Sequence, residues 1–410
     1  MKKTKRNLLR VLAAALCLML VLAACGDPSA NNTQPGGNTS QPGDSENNPG
    51  GNENNPGGTI MWMAHMNSGG GYVRFRNYLE AMCDAMGYKL TVVYGDSSNS
   101  ASGNLDAVRN GMTDDVVGLV ASMDGGIDAI MQEYPNLYVV GMASDMRSVY
   151  GEGGESAACL NNDHFLGSIA EGYVNGADTG KLYAQQVIDG GYKRIKIIKF
   201  PIYAYPTQTE ADETLRNEIE AYNATAAEPI EIVGETITLQ FSTLPDSFFL
   251  EQENEGIDCI VALCSGTSFV YPTVLTAKLN GSCDSNLKVI TVGFNEDPSI
   301  AADTGDDGTL ASIYSVNMET LAAYSVLLLD NAIRGQQYSD FEAKAVDAGL
   351  FAVDTQARVQ ELISIIDNAG NKDFSGSAMP VDVALSLSTR NNPNATQADL
   401  IAKIQELNAK

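Results

Sequence analysis

The chain has 410 residues, 44 % of them apolar and 19 % charged, which supplies core material for two domains of ordinary size or one large one. Its formal charge is -26, and the first 24 residues hold five Lys or Arg and no acid, which leaves the remainder at -31; such a field repels nucleic acid and anionic headgroups and reads against binding either. Seven cysteines without a C-x-x-C pair and only two histidines support no zinc site, so Cys83, Cys159, Cys259 and Cys264 read as buried thiols, with a disulfide to Cys283 left open.

Lys2, Lys3, Lys5, Arg6 and Arg10 precede an apolar run from Val11 to Leu22. That run is too short to span a bilayer as a helix and suits the apolar stretch of a signal peptide. It ends in Leu22-Ala23-Ala24-Cys25-Gly26, which resembles the bacterial lipobox. The resemblance implies that residues 1–24 are removed as a signal peptide. Cys25 then carries lipid and holds the protein on the extracytoplasmic face of the cell membrane by that anchor alone. Residues 25–58 continue almost wholly as Asn, Gly, Pro, Ser, Gln, Thr and Glu, with Glu-Asn-Asn-Pro-Gly-Gly at 46–51 and again at 53–58. With nothing to bury, this segment reads as a disordered linker with a reach of roughly 30 Å.

From Thr59 onward, short β-rich apolar runs alternate with stretches of helical spacing. The runs start at Ile60, Leu90, Val116, Leu137, Ile195, Ile230, Cys259, Val289 and Leu310. Their spacing predicts βαβ units and an α/β fold of two Rossmann-like lobes with parallel sheets. Helices are expected over Tyr72–Met86, His164–Val174, Ala211–Tyr222 and Met318–Arg334, and a small strand over Ala157–Leu160. A first crossing at Asn161 and a return near Ser315 divide the chain into an N-terminal lobe of 59–160 plus 316–335 and a C-terminal lobe of 161–315. Residues 336–410, with helices over Gln356–Asn368 and Gln397–Asn408, read as a C-terminal extension without an assigned role.

In open α/β sheets ligands sit beyond the carboxyl ends of the strands, which directs attention to the loops after the apolar runs. The first loop, His65 to Tyr72, holds three glycines before a helix. Asn67 there is a hydrogen-bonding candidate and Tyr72 a stacking candidate, each against a structural turn or core packing. Ser122 and Asp124 follow the third run as ligand contacts or as caps of the next helix. Tyr203 and Tyr205 follow the first run of the second lobe and flank a possible stacking face. No hydrolase, P-loop or metalloprotease motif occurs, so no enzyme, cofactor or metal is expected.

In order and spacing, Thr59 to Arg334 resembles the type 1 periplasmic-binding-protein superfamily. Asn162-Asp163 with Gly167 and Ala170 is similar to the family's first hinge motif, Val292-Gly293-Phe294-Asn295 to its V-G-F-D, and Ala311 to Ser315 to its A-T-I-x-Q. The resemblance implies a multi-strand hinge and adds Asn162, Asp163, Ser265 and Asn295 to the ligand-binding candidates. The second lobe's first helix lacks the arginine usual in sugar binders, and Cys264-Ser265 replaces their Asn-Asp. Glu133 to Leu137 and Gly256 to Thr267 are locally similar to the nucleoside-binding basic membrane proteins. The implied role is a monomeric extracytoplasmic solute-binding lipoprotein that captures a sugar or nucleoside-like ligand and delivers it to an ABC transporter permease. A sensor serving a chemoreceptor or kinase is the alternative.

Overall fold

Between Thr59 and Ser315 the apolar runs form two separate sheets in a computed structural model that describes residues 57–151, 156–202, 205–293 and 298–409. The first sheet contains β1 (Thr59–Ala64), β2 (Lys89–Tyr94), β3 (Val116–Ala121), β4 (Tyr138–Met142) and β5 (Phe165–Ala170). The second contains β6 (Arg194–Lys199), β7 (Glu231–Ile232), β8 (Ile237–Thr238), β9 (Cys259–Ser265), β10 (Lys288–Val292) and β11 (Leu310–Ser315). Two late strands, β12 (Ala345–Asp347) and β13 (Phe351–Val353), complete them. The spatial orders are β12-β5-β4-β3-β1-β2 and β13-β11-β10-β9-β6-β7, with β8 also paired to β6. All pairings are parallel except β11 with β13. Each of the nine runs read from the sequence falls on one of these strands.

The longer helices cover the sheet faces: α1 (Gly70–Met86), α2 (Ala101–Gly111), α3 (Ile127–Glu133), α4 (Gly176–Asp189), α5 (Pro206–Asn223) and α6 (Met318–Ile333). A strand covered on both faces reads as an unbroken apolar run with two sets of neighbours. In β1, Ile60 and Trp62 pack with Phe75, Leu79 and Leu327 on one face, and Met61 and Met63 with Val108 and Ile130 on the other. In the second lobe, α4 and α5 pack closely because Gly176 and Gly180 face the α5 backbone. A Cβ at Gly176 would lie 2.1 Å from the Thr207 carbonyl oxygen, and one at Gly180 2.5 Å from that of Ala211. Cys83, Cys159, Cys259 and Cys264 are buried free thiols, and Cys283 is free and half-buried.

Two expectations are corrected here. Residues 165–170 form a strand beside β4, where a helix was expected, and Ala158–Asn161 is a 3-10 turn in place of the small strand. All six residues of β5 are buried, and Phe165, Leu166 and Ile169 fall at intervals that also suit a helix face. Gly167 removes the ambiguity: its φ is +90°, and a Cβ would meet the Lys344 backbone at 2.5 Å, a conformation outside a helix. The chain therefore leaves the first sheet after Ala170, and the crossing lies beyond Asn161.

Residues 336–410 are woven into both lobes. β12 pairs with β5 in the first sheet, and β13, three residues later, pairs with β11 in the second. Helix α7 (Gln356–Gly370) then packs Val359 and Leu362 into the second-lobe cluster that holds Ile300 and Phe351. At its far end the Ala369 carbonyl accepts a 2.9 Å bond from Asn77 Nδ2 of α1. Helices α8 (Val381–Ser386) and α9 (Gln397–Asn408) cover α6 in the first lobe. Asn408 fastens the end: its Oδ1 accepts from the Asn317 N–H at 2.7 Å and its Nδ2 donates to Thr320 Oγ1 at 3.1 Å.

Candidate functional site

The crossings fix where the two sheets face each other. β5 ends at Ala170 and the second-lobe helix α4 begins at Gly176; β11 ends at Ser315 and the first-lobe helix α6 begins at Met318. With so few residues between, the carboxyl end of β5 and that of β11 lie at the same junction. Every other parallel strand points the same way as its neighbours, so the carboxyl ends of both sheets border one gap. Crossing segments 171–175, 316–317 and 348–350 run along its hinge side, held together where the Gly349 N–H donates to the Gly172 carbonyl at 3.2 Å.

On the first-lobe side the wall is a chain of aromatic rings. Trp62 Nε1 donates to Ser122 Oγ at 3.0 Å, Trp62 stacks on Tyr72 at 5.7 Å, and the Tyr72 and Tyr94 hydroxyls share a 3.0 Å hydrogen bond. Tyr72 is 8 % exposed and Tyr94 51 %, so Tyr94 presents the open face and Tyr72 backs it. His65 follows β1 as an exposed residue, and desolvation by its surroundings holds its imidazole below the ordinary value.

On the second-lobe side, Phe200 lies 5.4 Å from Tyr205, 4.9 Å from Phe241 and 5.0 Å from Phe269. Tyr205 and Phe241 are 44 % and 46 % exposed, which leaves ring faces open to a ligand. Phe241 holds a φ of +55°, a costly backbone for an aromatic residue that its neighbours must maintain. Ser265 ends β9 beside Gly293, whose φ of +83° lets the two loops approach; a Cβ there would stand 3.3 Å from Ser265 Oγ.

Similarity to solved structures follows this architecture. The chain is similar to the periplasmic binding protein component of the arabinose ABC transporter from Shewanella sp. ANA-3, bound to α- and β-L-arabinofuranose. That match has 13 % identity and a TM-score of 0.56, and covers 77 % of this chain and 97 % of that one. A periplasmic ribose ABC transporter protein from Conexibacter woesei DSM 14684 matches at 15 % identity and 0.54, over 77 % and 97 %. A carbohydrate transporter protein from Acidothermus cellulolyticus 11B in complex with myo-inositol matches at 12 % and 0.52, over 78 % and 100 %. The fold is that of a type 1 periplasmic binding protein. No protein-family model and no curated protein matches the chain.

Within the type 1 fold, one ion pair ties the lobes across the gap. Arg147, after β4, donates from Nη2 to Glu210 Oε1 of α5 at 2.7 Å, and the Gly176 N–H donates to Glu210 Oε2 at 3.0 Å. Burial pushes the Glu210 carboxyl up, but the bonds from Arg147 and Gly176 and the Arg147 charge outweigh it and hold the carboxyl below its ordinary 4.5. A carboxyl depressed in this way stabilises the tied state above its ordinary value and loses that contribution as pH falls through the depressed one. Arg147→Ala at neutral pH, and the parent protein once pH has fallen through the depressed carboxyl value, should therefore both show a larger radius of gyration by small-angle scattering. The pair is partly exposed, so it contributes only ~0.2–1 kcal/mol, up to about a fivefold change in population. An unchanged radius in Arg147→Ala would show that the pair does not hold the lobes.

The expected ligand residues divide by location. Asn67 is exposed in the loop after β1, and Ser265 lies at the carboxyl end of β9, both beside the gap. Tyr72 and Ser122 are buried and support Tyr94 and Trp62 from behind. Asp124 neither caps α3 nor is free: its two oxygens accept from Asn99 Nδ2 at 2.6 Å and the Ser148 N–H at 2.9 Å, which braces two loops. Asn162 and Asp163 precede β5 at its amino end, away from the gap, where they line a cavity of ≈ 520 Å³ with Tyr138 and Phe341. Their hinge placement is thus corrected with that of the crossing. Tyr203, Asn295 and Cys25 lie outside the described residues. The sequence reading missed Tyr94, Phe241, Arg147 and Glu210; a signal for Tyr94 was available, since it closes an apolar run.

Proposed function

We propose that this protein is an extracytoplasmic solute-binding protein that encloses a sugar or polyol between its lobes and presents it to an ABC transporter permease, tethered by lipid on Cys25. The observation that carries the reading is the pair of open aromatic walls, Tyr94 on one lobe and Tyr205 with Phe241 on the other, bordering one gap. Sugar rings bury their C–H faces well against such walls, while edge hydroxyls reach polar loop groups such as Asn67 and Ser265. The similar proteins solved with arabinofuranose and myo-inositol support the same ligand class.

The test is a thermal-shift screen of pentoses, hexoses, inositols and nucleosides on the soluble form lacking residues 1–58. A ligand at 100 times its dissociation constant adds ~2.7 kcal/mol to native stability. A sugar or polyol is expected to raise the melting temperature; stabilisation by nucleosides alone would overturn the ligand class. For the anchor, cells fed a fatty-acid analogue should label the parent protein, while Cys25→Ala should remain unlabelled and unprocessed. A wild-type band without label would remove the tether from the proposal.

A further inference from the structure

The outer edge of the second sheet is interrupted. β7 pairs with β6 at Arg194 and Ile195, and β8 pairs with it at Ile198 and Lys199, so Lys196 and Ile197 between them have no edge partner. Side chains alternate across a strand, which puts Lys196 on the face of Ile198, whose apolar cluster includes Val233, Leu244 and Phe248. Lys196 is only 2 % exposed. It lines a cavity of ≈ 400 Å³ with apolar Leu244 and Phe248 and acidic Glu235, Glu251 and Glu253, a volume within the range of small-molecule sites. β6 runs on to Lys199, so Lys196 stands roughly 10 Å short of the gap between the lobes at ~3.3 Å per residue. None of the lining residues belongs to the aromatic walls.

A buried ammonium is costly unless it is both paired and hydrogen-bonded. Among the described residues Lys196 Nζ has one ion-pair partner, Glu253 Oε1 at 3.6 Å, which is beyond hydrogen-bond reach and belongs to a side chain 61 % exposed. Glu251 accepts from Asn254 Nδ2 at 3.0 Å, and the Oδ1 of that buried Asn254 has no partner. Glu235 is exposed and makes no bond among the described residues. The cavity therefore combines one buried cation with unspent donors, an excess of carboxylates and an apolar wall. A ligand with a carboxylate alone would be repelled by the glutamates, and one with an amine alone would leave Lys196 unsatisfied. We infer that the cavity binds a zwitterionic α-amino acid with an apolar side chain. Its carboxylate accepts from Lys196, its ammonium donates to the glutamates, and its side chain lies on Leu244 and Phe248. Hydrogen bonds between opposite charges are about twice as strong as neutral ones. This second site goes beyond the proposed sugar-binding role and does not depend on it.

The test titrates two matched trios calorimetrically into the purified protein: L-leucine with 4-methylpentanoate and 3-methylbutylamine, and L-phenylalanine with 3-phenylpropanoate and 2-phenylethylamine. At least one amino acid is expected to bind, and its two analogues, each lacking one charged end, at least about tenfold more weakly. Lys196→Met keeps the aliphatic stem and should weaken the amino acid by a similar factor. The double variant Glu235→Gln, Glu253→Gln changes two exposed positions and should do the same, which keeps the test decisive if Lys196→Met does not fold. Binding should be unchanged in the Tyr205→Ala, Phe241→Ala variant of the aromatic wall. The inference is overturned if neither amino acid binds, if an analogue binds as tightly as its amino acid, or if affinity survives in a folded Lys196→Met or in the double glutamate variant. Loss of amino-acid binding in the aromatic-wall variant would place the ligand between the lobes and overturn it as well. The sugar-binding role is read separately, from the thermal-shift screen, and stands or falls there.

Discussion

Glu319→Gln should destabilise the folded protein by about 3–5 kcal/mol. Glu319 is fully buried in the first turn of α6 and takes both its bonds from Arg74 of α1, at 2.5 Å from Nε and 2.6 Å from Nη2. Arg74 is itself only 3 % exposed. The amide keeps the size of the side chain but removes the charge, and the guanidinium is left in the core without a counter-ion. Such a loss exceeds that of a surface pair because neither water nor salt reaches the orphaned charge. Chemical denaturation read at two probes would measure it. A change below about 1 kcal/mol would mean that water enters the site and that α1 and α6 are less tightly joined than described.

Asp330→Asn should cost a comparable amount and should loosen the C-terminal segment first. Asp330 is fully buried on α6 and accepts from Arg334 Nε at 3.0 Å, Arg390 Nη2 at 2.6 Å and the Tyr88 hydroxyl at 3.1 Å. Arg390 belongs to the segment after α8, and its Nη2 also reaches the Met86 carbonyl at 3.2 Å, at the end of α1. One carboxylate thus joins the tail, α6 and the start of β2. Neutralising it leaves two guanidinium groups facing each other's charge. Limited proteolysis should then cut within 371–396 before any site in the two sheets. Cleavage starting elsewhere would contradict the role given to Asp330.

The fold was legible where pattern and environment agree. Buried parallel strands leave apolar runs, and α6 could be read because Met318 to Ile333 is apolar at eleven of its sixteen positions. β5 misled because six buried residues have no alternation, and only Gly167 with its positive φ marks the strand. The tail could not be placed because its strands are three residues each and their partners, β5 and β11, lie more than thirty residues away in sequence. In the site, residue type indicated polar and aromatic groups near the right loops but not which of them end in the gap. Tyr72 and Tyr94 differ in exposure only because one is on a helix packed over Trp62 and the other ends an edge strand. Asp124 could not be told from a ligand contact, since its partners Asn99 and Ser148 come from separate loops.

The claim that a sugar or polyol binds between the aromatic walls is tested most directly by calorimetric titration. The ligand is the sugar that stabilises the protein most, and the samples are the parent protein and the Tyr205→Ala, Phe241→Ala double variant. Each ring contributes ~0.5–1.5 kcal/mol beyond its buried area. The parent should therefore bind one ligand per chain, and the double variant roughly 5- to 150-fold more weakly, with a cooperative ligand-free melt showing that it still folds although both rings also pack on Phe200. Saturable sugar binding of equal strength in both proteins would place the ligand elsewhere and contradict the account.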